Sequence, residues 1–127
     1  MEMSKELGLM LYWGEGDKTK DSFIALTNTD PNVLAYFVFW FRKYFDVEEK
    51  RLKCRLYIWE HLDEQKAKTF WSKKLKIPLE QFTKSYIYQS ISKVRKRRHE
   101  FGACRVSYGS KKIMSEIKEG IKTKFMD

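Results

Sequence analysis

Between Arg51 and Trp59 the chain alternates without a break. Leu52, Cys54, Leu56 and Ile58 fall on even positions, and Arg51, Lys53, Arg55, Tyr57 and Trp59 on odd ones. A period of two is the pattern of a half-buried β-strand. Its apolar side belongs to a core. Its other side is basic and aromatic, with three cations and no acid in five positions. Guanidinium and ammonium groups on such a ribbon can bond phosphates or guanine edges, and Tyr and Ser can serve backbone oxygens. A two-stranded ribbon fits the major groove of B-DNA. A strand of nine residues spans about 30 Å at ~3.3 Å per residue, the length of roughly nine base pairs.

A second cationic stretch runs from Lys93 to Arg98, with five cations in six residues. Arg95 and Arg97 in it suit phosphate contact better than base readout. A solvated loop and a nuclear-import signal are the other readings of such a run. The whole chain has the same bias: 26 Lys and Arg against 17 Asp and Glu give a net charge of +9, and 16% of its 127 residues are aromatic. A small, basic, aromatic-rich domain points to nucleic acid before a membrane surface. Other chemistries find little support. Cys54 and Cys104 are far apart, with no Cys-x-x-Cys or Cys/His cluster to hold zinc. They read as reduced, buried thiols of a cytoplasmic protein. His61 and His99 read as surface or loop residues. There is no Ser/His/Asp or Cys/His arrangement and no Gly-rich phosphate loop. The longest apolar run, Val33 to Phe41, has nine residues, against about 20 for a membrane span. The N-terminus lacks a signal-peptide layout. The expectation is a soluble intracellular protein with no membrane partner.

These residues need elements to position them. Leu7, Met10, Leu11 and Gly14 lie at i, i+3, i+4 and i+7, one face of a short helix opening at Ser4 and stopped by Gly14 and Gly16. Phe23–Thr27 reads as a strand. Asp30 is a natural N-cap and Pro31 suits the first helical position. The helix they open keeps a 3.6-residue period from Val33 to Phe45, and Tyr36, Phe39 and Trp40 widen its apolar face. Asp63 caps a helix carrying Ala67, Phe70, Trp71 and Leu75, ended by Pro78. Tyr86–Ser92 reads as a strand with Ile87 and Ile91 inward. Lys93–His99 reads as a basic connection and Ala103–Tyr108 as a partner strand, with Cys104 and Val106 inward and Arg105 and Ser107 outward. Ser110 caps a last helix bearing Ile113, Ile117 and Ile121. No linker or repeat divides the chain, so residues 1–127 read as one domain. The strands have one apolar and one wet face. This implies an α+β two-layer domain, mainly antiparallel, with helices on one side. Arg51, Lys53, Arg55, Tyr57, Tyr86, Tyr88, Arg105 and Ser107 collect on the other.

Within the first helix, Gly8-Leu-Met-Leu-Tyr-Trp-Gly-Glu-Gly16 resembles the signature of LAGLIDADG homing endonucleases, an apolar helix with small residues that ends in an acid and a glycine. Glu15-Gly16 matches the terminal pair and Gly14 the small residue before it. The Asn28-Thr-Asp-Pro31 step, the Arg51–Trp59 strand and the helix with Trp71 before Pro78 follow the family's order, so the resemblance covers most of the chain. The motif's earlier acid, usually structural in the family, is Trp13 here. The resemblance implies a single-motif chain acting as a two-fold dimer through Gly8, Leu11 and Gly14. Glu15, with the Gly14 carbonyl, would be the Mg²⁺ ligand at the dimer axis. Lys111, Lys112 or Lys18 would be the assisting cation. The implied activity is cleavage of a long, roughly palindromic duplex DNA. The alternatives on the same fold are a DNA-binding protein that does not cut and an RNA-binding splicing helper.

Overall fold

The protein is described here from a computed structural model covering residues 4–89 and 100–126. Each helix begins where a short polar side chain can satisfy a free backbone N–H. Ser4 accepts from Leu7 N and opens α1 (Lys5–Glu15). Asp30 accepts from Asn32 N and opens α2 (Pro31–Tyr44), with Pro31 in the first turn. Asp63 opens α3 (Glu64–Leu75) and Ser110 opens α4 (Lys111–Phe125) in the same way. Gly14 lies inside α1, and the helix is closed by Gly16 alone. The third helix stops at Lys76, which takes a left-handed conformation two residues before Pro78.

The strands are β1 (Phe23–Asn28), β2 (Lys53–Trp59), β3 (Tyr86–Tyr88) and β4 (Ala103–Gly109). They form one mixed sheet in the order β1-β4-β2-β3. β4 is antiparallel to both its neighbours, and β2 and β3 are parallel. A parallel pair needs a long crossover, and α3 supplies it. The protein is therefore an α+β domain of four helices and a four-stranded sheet, as its patterning implies.

Four details differ from the sequence expectation. The strand at 103–108 is expected to partner the one at 86–92, but β4 lies between β1 and β2, and β3 pairs with β2 instead. Arg51 sits in a short 3₁₀ turn, Glu49–Arg51, before β2 begins. Of the strand expected over 86–92, β3 spans only Tyr86–Tyr88; Ile91 falls outside the described residues. Ile87 was expected inward but is 44% exposed, because β3 is an edge strand that packs chiefly on β2.

One core joins the inward residues of the sheet to all four helices: Leu26, Leu56, Ile58, Cys104 and Val106 meet Leu9, Tyr12, Phe37, Trp40, Trp71 and Ile117. The two thiols, Cys54 and Cys104, are buried in it. A hydrogen bond to Cys54 and burial together push the Cys104 thiol up, so it stays protonated. Gly8 has a specific task in this packing. A methyl group built on it would fall inside the Trp40 indole, and the Trp40 Nε1 donates to Lys5 O at 3.1 Å. The close approach that Gly8 permits is thus between α1 and α2 of one chain. Gly8→Ala should destabilise the fold by about 1–3 kcal/mol through overpacking, read as a lower urea midpoint. A midpoint equal to wild type would contradict this packing.

Candidate nucleic-acid interface

The pairing register lays out the sheet face away from the helices. Thr27, Arg105 and Arg55 form one row across β1, β4 and β2. Ala25, Ser107 and Lys53 form the next. On the other side, Ala103, Tyr57 and Tyr86 align, followed by Trp59 and Tyr88. Along β2 the residues Cys54, Leu56 and Ile58 are buried, while Lys53 and Arg55 are exposed. The alternation in the sequence therefore does separate core from wet face, and it brings Lys53, Arg55, Tyr57, Tyr86, Tyr88 and Arg105 together as expected. Arg51 stands apart. It pairs with Glu48 at 3.6 Å, bonds Gly109 O and lies over the Tyr108 ring at 4.6 Å. Tyr108 faces the core, so Arg51 closes the end of the sheet and is not part of its wet face.

Arg55 and Arg105 are directly opposed on antiparallel strands, an arrangement that is unfavourable on its own. Each has a local compensation. Arg105 bonds Asp17 at 3.2 Å and Thr27 Oγ1 at 3.4 Å. The Arg55 guanidinium lies 5.6 Å from the Tyr57 ring and 5.9 Å from the Tyr86 ring, within cation–π range.

Asp17 belongs to the segment that carries the end of α1 to this face. Tyr12, wholly buried, points its hydroxyl at β1: it donates to Asp17 O at 2.5 Å and accepts from Ala25 N at 3.0 Å. Burial pushes the Tyr12 phenol up to about 12, so it stays protonated and keeps that donor. Gly16 must be glycine, because a Cβ there would meet the Tyr12 ring. Asp17 N in turn donates to Ala25 O. Glu15 is exposed at the last helical position. Among the described residues its carboxylate has no hydrogen bond or ion pair. Lys18 donates to Gly16 O at 2.9 Å, so of the three candidate lysines it is the one beside the motif. Lys112 reaches towards Glu116 at 4.0 Å. Lys111 lines a hollow with Asp21, Ser115 and Lys118. No contact joins either to Glu15.

The outer face of α1 is unpartnered. Leu7 and Met10 are each 51% exposed, and a Cβ on Gly14 would meet nothing within 4 Å. Leu7 and Leu11 line an apolar hollow with Val33 and Tyr36 of α2. The Tyr36 hydroxyl is buried with no hydrogen-bond partner among the described residues. Leu11 and Gly14 thus lie on an open surface, while Gly8 is turned inward. Arg95, Arg97 and His99 lie outside the described residues; His61 is exposed.

Sequence reasoning missed Asp17. Its only signal was an Asp two residues before a Thr, a local turn in which Thr19 N and Oγ1 both donate to the carboxylate. It also left Trp59 out of the site, although parity places it on the wet face. Against known proteins, the chain matches no family model, no curated sequence and no solved structure.

The donors present can be tested against Mg²⁺. Asp17 is engaged by Arg105, and among the described residues no three acidic, His or Cys side chains cluster. One chain offers Glu15 and helix-end carbonyls. On their own these are too few oxygen donors for a hard divalent cation.

Thr19, first through its hydroxyl and then its amide, and Arg105 lower the Asp17 carboxyl from 3.8 to about 2. A carboxylate whose folded value is depressed stabilises the fold above its unfolded value and ceases to do so as pH falls through the folded one. Wild type should be more stable than Asp17→Asn at neutral pH. The gap in urea midpoint should close as pH falls from about 4 to about 2. A gap that is constant with pH would mean the carboxylate charge is not what holds Arg105.

Proposed function

We propose that this chain is a duplex-DNA-binding domain that acts as a two-fold pair and hydrolyses phosphodiester bonds at the pair's axis. The observation that carries the reading is one exposed sheet face with Lys53, Arg55 and Arg105, to whose rim Asp17 ties the acidic end of α1. Paired arginines of a β-ribbon suit phosphates and guanine edges. The resemblance of Gly8–Gly16 to the LAGLIDADG signature supports the same arrangement. So does the stripe of exposed Leu7, Met10 and Gly14 with half-buried Leu11, which a second copy would cover. Glu15 from each copy, with the Gly14 carbonyls, would hold Mg²⁺, which when bound supplies an activated water and stabilises the leaving 3′-oxygen. The chain's own part is to hold Glu15 at the rim through Tyr12, to keep Lys18 beside the helix end, and to seat the phosphates on the arginines.

Replacing Lys53, Arg55 and Arg105 together with Ala should weaken duplex binding and flatten the plot of log affinity against log salt by about 3, at ~0.9 per lost phosphate contact. Filter or anisotropy titrations at several salt concentrations read both quantities. Unchanged affinity would reject the face.

Glu15→Gln should abolish Mg²⁺-dependent nicking of plasmid DNA while duplex binding is kept or tightened, since two negative charges leave the axis. Met10→Lys should give monomers in light scattering and lose cleavage too. A wild-type monomer at micromolar concentration would sink the two-fold site.

A second reading has its own support. With Asp17 engaged by Arg105, each chain has one uncommitted carboxylate at the rim, which suits a domain that binds duplex DNA without cutting it. Tight binding with no cleavage in Mg²⁺ or Mn²⁺ would select this reading.

A further inference from the structure

The wet face divides into two unlike halves. One holds Lys53, Arg55 and Arg105. The other, among the described residues, holds four rings beside Ala103. Parallel pairing sets Tyr57 beside Tyr86 and Trp59 beside Tyr88. Their centroids lie close: 6.0 Å for Tyr57–Tyr86, 5.1 Å for Trp59–Tyr88 and 4.9 Å for Tyr86–Tyr88. Tyr86 and Tyr88 remain 48% and 40% exposed. Arg55 joins the halves, since its guanidinium reaches both Tyr57 and Tyr86. Cross-strand aromatic pairs do stabilise sheets, and part of this contact fastens the three-residue β3 to β2. Fastening still leaves Tyr86 and Tyr88 exposed and Tyr57 and Trp59 only half-buried, however. An open aromatic surface on the sheet edge of a chain with net charge +9 has a natural occupant. Each nucleobase has a flat π-face, and the phosphates that follow it need cations.

We propose that Tyr57, Trp59, Tyr86 and Tyr88 form a stacking platform for unpaired bases of single-stranded DNA, whose backbone is held by Arg55 and Lys53. Bases inside an intact duplex cannot use it, because their faces are already stacked. The charge complementarity argues for a nucleic acid and the rings for an unpaired stretch of it. The choice of DNA rests on the reading above, in which the adjoining arginines hold duplex DNA. A strand separated from that duplex passes from Arg55 directly onto the rings. The dimensions suit about two bases, one for each cross-strand pair, as on other sheet surfaces that stack bases on exposed aromatics.

The test uses the full chain with oligo-dT, oligo-U and a blunt duplex, at low salt. Trp40 and Trp71 are wholly buried, whereas Trp13, stacked on Phe125, is still 41% exposed, so a base on the platform should quench the emission of Trp59, and the Trp59→Phe chain separates that quench from any at Trp13. Oligo-dT should quench wild-type emission, and Trp59→Phe should remove the quench. Tyr88→Leu should weaken oligo-dT binding roughly five- to a hundredfold, from ~1–3 kcal/mol per stacked base at 1.4 kcal/mol per decade, and weaken duplex binding much less. Oligo-dT bound with no change in Trp emission would overturn the platform, and so would no binding at all. Tighter and equally quenching oligo-U would overturn the assignment to DNA. A quench by oligo-dT without any duplex binding would keep the platform and reject the duplex reading. Duplex binding without the quench would do the reverse. The wild-type quench needs no altered chain, so the result stands even where Tyr88→Leu loosens β3.

Discussion

A single phenol holds the arrangement together. The Tyr12 hydroxyl sits between Asp17 O and Ala25 N, where it satisfies a strand-edge donor and fixes the turn that leaves α1. Every relevant group at that end depends on it. Gly16 has no side chain because the ring needs the space. Asp17 is delivered to Arg105, and Glu15 is left at the last helical turn with its carboxylate in solvent. At the other end of α1, Trp40 packs on Gly8. The motif helix is thereby clamped twice to its own chain by its inward residues, and its outward stripe is left for something else. Contacts within the chain thus call for glycine at 8, against Trp40, and at 16, against Tyr12, whereas position 14 faces open space.

The sheet face accepts a local penalty. Facing arginines are not how a sheet is stabilised. The penalty is softened by neighbours of two kinds. A carboxylate neutralises Arg105 from the side of β1, and two rings flank Arg55 from the side of β3. Those compensations differ in what a polyanion can displace. Phosphate can compete with Asp17 for Arg105, whereas the rings stay in place and shape what Arg55 can reach.

Much of this was legible in the residues. The strict parity of 52–59 separated core from surface because a strand offers only two faces and water covers one of them. The helix starts at Ser4, Asp30, Asp63 and Ser110 were readable because an N-cap acts within a few residues. What was not legible depends on tertiary neighbours. The inward turn of Gly8 follows from Trp40, 32 positions away. The role of Asp17 follows from Arg105, on a strand near the other end of the chain. Ile87 kept the alternation of a buried residue but lies on an edge strand with too little packed against it. Arg51 continued the parity one step past the strand, into a 3₁₀ turn that periodicity cannot see. The crossover by α3 fixed β3 parallel to β2, and with it the grouping of four rings that separate sequence stretches do not announce.

The opposed arginines also make salt act on this protein in two directions. Adjacent strands bring their backbones to within about 5 Å, well inside a Debye length of ~10 Å at 0.1 M salt. Mobile anions that gather over Arg55 and Arg105 relieve their mutual repulsion and so favour the folded sheet. The same anions occupy the positions that a polyanion would take, and displace it. Ionic conditions that ease the repulsion between Arg55 and Arg105 are therefore those in which this face would hold a polyanion least.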